Sequence, residues 1–210
     1  MKRLLILCLT VGLAIVNTHQ SSATRPITNA HQTAEAQLQL STSILEQRYS
    51  VEAGSRYLRL LLNLIYSNTG NRPILLDKKS SLVYRKLVSK TLKAASQKKY
   101  VYDARASFIF VEAMRAVGMR MDSPPEREAF VTIKPGESYS LKAEVILYLY
   151  DGTKDTEDRL HPGTHLLQVK VATWFYFADV DEYREKWRDE GYLWSKDITS
   201  VPMPFTVKKI

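Results

Sequence analysis

The sequence predicts an all-β sandwich. Three observations lead there. Apolar and polar residues alternate with period two over several long runs. Turn chemistry separates the runs. A helical period appears clearly in one short stretch late in the chain. With 210 residues and 45% hydrophobic content the chain can bury a sizeable core, and one main domain is expected.

The first residues read as a secretory signal. Lys2-Arg3 form a positive start, Leu4 to Val16 an apolar run, and Ser21-Ser22-Ala23 a small-x-small cleavage site. The run falls short of the roughly 17 residues that a membrane span needs, so no transmembrane segment is expected after cleavage. The expected organisation is a signal peptide over 1–23, a flexible leader over 24–36, and one β-sandwich domain over 37–210. Cys8, the only cysteine, lies in the signal. The mature chain then has no disulfide, thiolate site or cysteine nucleophile. Export without a disulfide suits a bacterial envelope protein, periplasmic or secreted, better than a small eukaryotic secreted domain.

Thr24 to Ala36 is polar and aperiodic. Leu38 to Val51 reads as a strand with one phase slip. Leu38, Leu40 and Ile44 share a parity while Leu45, Tyr49 and Val51 take the other, as at a bulge or a crossing between sheets. Ala53-Gly54-Ser55 turns the chain. Tyr57 to Tyr66 follows as a strong strand, with Leu58, Leu60, Leu62 and Leu64 inward and Arg59 and Asn63 outward. Ser67 to Arg72 is a turn. Pro73 to Asp77 is a short strand whose proline costs no ladder bond at its first position. Residues 78–105 form a basic insertion, in which Leu82 to Val88 suits a strand and Leu87 to Ala95 a basic helix. Phe108 to Val111 returns to strand, and Met121 to Glu128 reads as an exposed loop.

Phe130 to Phe177 is the centre of the chain. It holds two long strands, each launched by a Pro-Gly turn, Pro135-Gly136 and Pro162-Gly163. Proline presets the second position of a type II turn, and glycine accepts the positive φ of the third. Tyr139, Leu141, Ala143, Val145, Leu147 and Leu149 fall on one face of the first strand, with Ser138, Ser140, Lys142 and Glu144 on the other. Ile146, Tyr148 and Tyr150 break the polar face, so cover on both sides is expected there. Leu167, Val169, Val171, Phe175 and Phe177 line one face of the second strand, against Gln168, Lys170 and Ala172. Asp151 to Arg159 reads as a polar hairpin loop joining the two strands. Asp179 then caps a helix, with Glu182 completing a capping-box pattern and Gly191 ending it. Val180, Tyr183 and Trp187 share its face. Val201 to Val207, with two prolines, is an edge strand.

Asn68 to Leu76, then Ile133 to Ser138, then Leu160 to Val169, with the tail Trp187 to Val207, resembles the order of signals in immunoglobulin-like domains of exported bacterial proteins without assigned function. The turn pattern is also similar to that of the intracellular proteinase inhibitor domain of bacilli. The resemblance covers roughly residues 56 to 207. It implies an immunoglobulin-like antiparallel sandwich with one short C-terminal helix, and it carries fold, not activity.

The chemistry-bearing residues point away from an enzyme and from any cofactor. No Gly-x-Ser-x-Gly elbow, His-Glu-x-x-His motif or glycine-rich phosphate cradle occurs. Asp151, Asp155, Glu157 and Asp158 lack the spacing of a calcium loop and read as a solvated loop. His161 and His165 read as exposed turn histidines rather than a metal pair. Trp174, Trp187 and Trp194 read as core and helix packing rather than a sugar platform. The formal charge is +8, and the excess beyond Lys2 and Arg3 is concentrated between Lys78 and Arg105, where Asp103 is the only acid. That run is either a solvated insertion that protects a sheet edge or an interaction surface. As a surface its candidates are Lys86, Lys90, Lys93, Lys98, Lys99 and Arg105. In an exported protein their partner would be a protein, an anionic lipid or a glycan, not nucleic acid. The expected function is an exported, non-catalytic module that binds another macromolecule or the cell envelope. A protease-inhibitor-like domain, or an enzyme with an unrecognised site, is the alternative.

Overall fold

The structure is a computed structural model that describes residues 35–105, 125–152, 159–176 and 178–209. The chain divides into two compact units, Met1–Thr33 and Ala34–Ile210, and everything below belongs to the second. The expected signal and the leader through residue 34 lie outside the described residues. So do the strand at Phe108 to Val111, the acidic residues Asp155, Glu157 and Asp158, and Phe177.

Antiparallel sheets pack together as an all-β sandwich. The first sheet has the order β1-β2-β7, from β1 (Leu38–Glu52), β2 (Ser55–Asn68) and β7 (Ser138–Leu149). The β1–β2 hairpin closes on Ala53 and Gly54, whose φ values of 49° and 78° give the two left-handed positions that match strand twist. The slip expected in β1 is a bulge between Ile44 and Glu46. It leaves Leu45 half exposed instead of turning it into a second core, and Val51 is exposed too. Leu58, Leu60, Leu62 and Leu64 of β2 are fully buried, facing inward with Ala143, Val145, Leu147 and Leu149 of β7.

The opposing sheet has the order β10-β8-β4-β5, built from β4 (Val83–Ser89), β5 (Tyr102–Arg105), β8 (Gly163–Val171) and β10 (Ile198–Thr199). β11 (Met203–Val207) pairs with the first half of β8, while β10 pairs with its last two residues. Between β10 and β11, Ser200 bonds Val169 twice: its N–H donates to the Val169 carbonyl (2.9 Å), and its hydroxyl accepts from the Val169 N–H (3.0 Å). A small third sheet, β6-β3-β9, is made of β3 (Ile74–Asp77), β6 (Phe130–Ile133) and β9 (Tyr192–Leu193), with β9 parallel to β3. Its Leu76 and Ile133 join the main core. Its Leu75, Phe130 and Leu193 form a second core with Tyr183 and Trp187.

Residues 82–95 are both things that the sequence suggested, a strand followed by a short helix. β4 ends at Ser89 and α1 spans Leu92–Ser96, capped by the Thr91 hydroxyl accepting from the Ala94 N–H at 3.1 Å. The later helix, α2 (Val180–Lys186), starts where Asp179 accepts the Asp181 N–H at 2.9 Å. It ends at Lys186, short of Gly191.

Several sequence expectations are corrected. β7 and β8 are not hairpin partners: β7 pairs with β2 and β8 with β4, β10 and β11, so residues 151–159 connect two different sheets. Alternation reports which face of a strand is apolar, not which neighbour it takes. Pro135-Gly136 is the expected turn, with Gly136 at φ 79° and the Glu137 N–H returning to the Lys134 carbonyl. Gly163 has φ 134° and instead opens β8 opposite Val207. β8 stops at Val171, so Phe175 is buried outside it. Tyr148 is 44% exposed, not covered, and meets Tyr57 edge-on at 4.9 Å. Pro125 is buried, and Arg127–Ala129 form a 3-10 turn where an exposed loop was expected. At the start of the described residues, the Asn71 side chain accepts from the Glu35 N–H at 2.7 Å.

Candidate functional site

β4 and β8 lie side by side, with β5 beyond one and β10 beyond the other. Alternate residues on their outer face make a groove of 510 Å³: Arg85 and Leu87 from β4, Asp103 from β5, Gln168 and Lys170 from β8, and Thr199 from β10. α1 and the segment behind it close one side with Ala95, Ser96, Lys98 and Tyr100. Ala95 is the buried residue that seats this short helix.

The groove has an excess of positive charge held in place by few acids. Asp103 accepts two hydrogen bonds from the Arg85 guanidinium. Arg105 stands directly across from Arg85 in the ladder, so one carboxylate serves two facing guanidinium groups. The hydrogen bond from Arg85 holds the Asp103 carboxyl below its ordinary range, and the charges of Arg85 and Arg105 add to this. Lys170 lies over the Tyr84 ring at 5.5 Å and 3.8 Å from Asp197. Its pKa is raised, first by the hydrogen bond with Tyr84, so it stays charged. Tyr84 in turn donates to Asp197 at 2.6 Å. Burial is the larger cause that raises the Tyr84 pKa.

Gln168 supplies a neutral anchor. Its Nε2 donates to the Ser200 carbonyl at 3.0 Å. That contact fixes the orientation of the amide, because a carbonyl can only accept. Its Oε1 is buried without a hydrogen-bond partner, closed off from the groove beneath the cations.

The expected surface residues divide accordingly. Lys98 lines the groove and Arg105 continues it along β5. Lys90, Lys93 and Lys99 are exposed around α1. Lys86 is a correction: it alternates to the other face of β4, and its Nζ donates to the Ile146 carbonyl of β7 at 3.2 Å. Burial lowers its pKa. It belongs to the space between the sheets and not to the surface. Arg85, Gln168 and Lys170 were not among the expected site residues. Period two had put Gln168 and Lys170 on one face, but only the β4–β8 pairing brings that face beside Arg85.

The histidine expectation holds for His161, which is exposed, and fails for His165, which is 1% exposed. Among the described residues no group of three or more His, Cys, Asp or Glu is arranged to hold a metal ion. Trp187 packs on Phe130 and Tyr183 at 5.2 Å each, and Trp174 stacks on Phe130 at 6.3 Å, so both are packing residues as expected. Trp194 packs against the main core, and its Nε1 donates to the Lys196 carbonyl at 2.7 Å. No helix of the described residues is long and apolar enough to cross a membrane.

No family model matches the chain, and no curated protein does. Among solved structures, a Northeast Structural Genomics Consortium target is similar at 10% identity, over 83% of this chain and 86% of that one, with a TM-score of 0.30. A likeness of that extent carries no argument about fold or function.

Proposed function

We propose that this chain is an exported, non-catalytic, immunoglobulin-like module that binds an acidic glycan in the groove over β4 and β8. The observation that carries the reading is the set of cations fixed along one concave face. Arg85, Lys98 and Lys170 suit carboxylates. A polymer of acidic sugars offers carboxylates at short intervals, and Tyr100 adds an aromatic side to the groove. The concave form also suits a chain lying in it better than a flat bilayer.

One observation favours a second reading, an anionic lipid surface. Leu92 is 67% exposed between Lys90 and Lys93, as in a contact where an apolar side chain enters the interface among cations.

Retention on immobilised polygalacturonate, and co-sedimentation with vesicles containing phosphatidylglycerol, test the two. Retention at low ionic strength should be lost as the Debye length falls from about 10 Å at 0.1 M salt to about 3 Å at 1 M. Changing Lys90, Lys93, Lys98 and Lys99 to Gln should abolish retention and leave the melting temperature nearly unchanged, because exposed charges contribute little to stability. Arg85→Gln/Lys170→Gln should weaken only glycan retention, and Leu92→Ser only vesicle binding. Absence of salt-sensitive retention on both supports overturns the binding function.

A further inference from the structure

A second concavity lies at one end of the sandwich. Four segments converge there. Arg56 of β2 pairs with Leu149 at the end of β7. Leu149 bridges to Leu160, the Tyr150 N–H donates to the Leu160 carbonyl at 2.9 Å, and the Leu160 N–H returns to the Tyr148 carbonyl at 2.9 Å. Val207, the last residue of β11, pairs with Gly163 and delivers Lys208 and Lys209 to the same end. The Lys208 N–H is held by the Tyr49 hydroxyl oxygen at 2.8 Å. The resulting pocket has a volume of 290 Å³, at the small end of the range for small-molecule sites.

Its chemistry is divided. Leu149, Leu160 and Val207 supply apolar walls and are themselves buried. The Tyr150 and His161 rings, stacked at 4.4 Å and 26°, supply a flat aromatic side. Lys208 and Lys209 bring positive charge to the lining. Among the described lining residues the one acid, Asp151, is ion-paired to Arg159 at its back, which neutralises it within the protein.

We propose that this pocket binds a small carboxylate with a flat apolar body, at a site separate from the β4–β8 groove. The apolar walls and stacked rings take the body. The cations take the head, where a carboxylate gains charge-assisted hydrogen bonds that a neutral group of the same shape does not. The 290 Å³ volume matches a small molecule.

The test is titration of the full-length mature protein with 1-naphthoate, followed by calorimetry and amide NMR. Saturable binding should shift the resonances of Tyr150, Leu160, Val207 and Lys208. 1-Naphthalenemethanol, with the same body and no charge, should bind at least tenfold more weakly. Lys208→Glu/Lys209→Glu, both exposed in the fold, should reduce naphthoate affinity at least tenfold with an unchanged melting temperature, while Lys98→Glu in the groove should have no effect. Equal affinity for the acid and the alcohol, shifts confined to other parts of the fold, or no saturation in the millimolar range would each overturn the proposal. Failure of glycan retention would leave it standing, because the two sites share no residue.

Discussion

The Nε2 of His165 lies 2.9 Å from the carbonyl oxygen of His161. The carbonyl can only accept, so Nε2 carries the hydrogen and Nδ1 is the bare nitrogen. That nitrogen is buried without a partner, beside the Phe205 ring at 5.6 Å. A proton on it would place a cation in the core. Burial is the largest cause that lowers the His165 pKa below its ordinary value of about 6.5; the hydrogen bond to the His161 carbonyl opposes it, and the charge of Lys90 adds to the lowering.

The sign of the resulting pH dependence follows. Below about pH 6.5 the unfolded chain takes a proton on this residue while the folded chain resists it. The contribution to stability is therefore full above that pH and is lost as pH falls toward the folded value, at up to about 1.4 kcal/mol per pH unit. Thermal unfolding between pH 7 and pH 5 should show a falling melting temperature, and His165→Phe should flatten that slope. Parallel slopes for the two proteins would refute the role of this ring.

Val171 is fully buried, while its neighbour Lys170 lies on the outer face with about a third of its side chain exposed. Val171→Asp should cost several kcal/mol, on the order of 3–5, or prevent folding, because it buries a charge without a partner. Lys170→Gln should cost under about 1 kcal/mol, the usual worth of a partly exposed ion pair. Urea denaturation of both variants measures the contrast, and equal midpoints would mean that the β8 register is wrong.

Asp179 accepts the Asp181 N–H and starts α2. Asp179→Ala should destabilise by about 1 kcal/mol, and Asp179→Ser should restore most of it, since a hydroxyl also caps. Chemical denaturation gives the size; no difference between alanine and serine would show that the cap contributes nothing.

Gly191 sits where the chain enters β9 against β3. A Cβ there would lie 2.9 Å from the Pro73 carbonyl oxygen, the acceptor of the Tyr192 N–H. Backbone cannot yield as a side chain tip does. Gly191→Ala should cost about 1–3 kcal/mol, as overpacking does, and should raise amide exchange at Tyr192 and Trp194. Unchanged exchange at both would show that the contact is relaxed elsewhere.

Much of this fold could be read from residue order because local chemistry decides it. Period two fixed the buried faces of β2, β7 and β8, since a one-residue slip would turn Leu58 or Val169 to water. The parity change at Ile44 to Leu45 marked the bulge, and Asp179 marked the start of α2. Only the tertiary structure decided strand partners. An alternating strand of either sheet has the same pattern, so nothing local separates β7 beside β2 from β7 beside β8. That is why the 151–159 connection read as a hairpin, and why Lys86 read as surface although β4 turns it toward Ile146. It is also why His165, one residue in a turn motif by sequence, is a core residue. The candidate groove depended on the same decision: Lys98 and Arg105 were visible as a basic run, but Arg85, Gln168 and Lys170 form one surface only because β4 and β8 pair over long sequence separation.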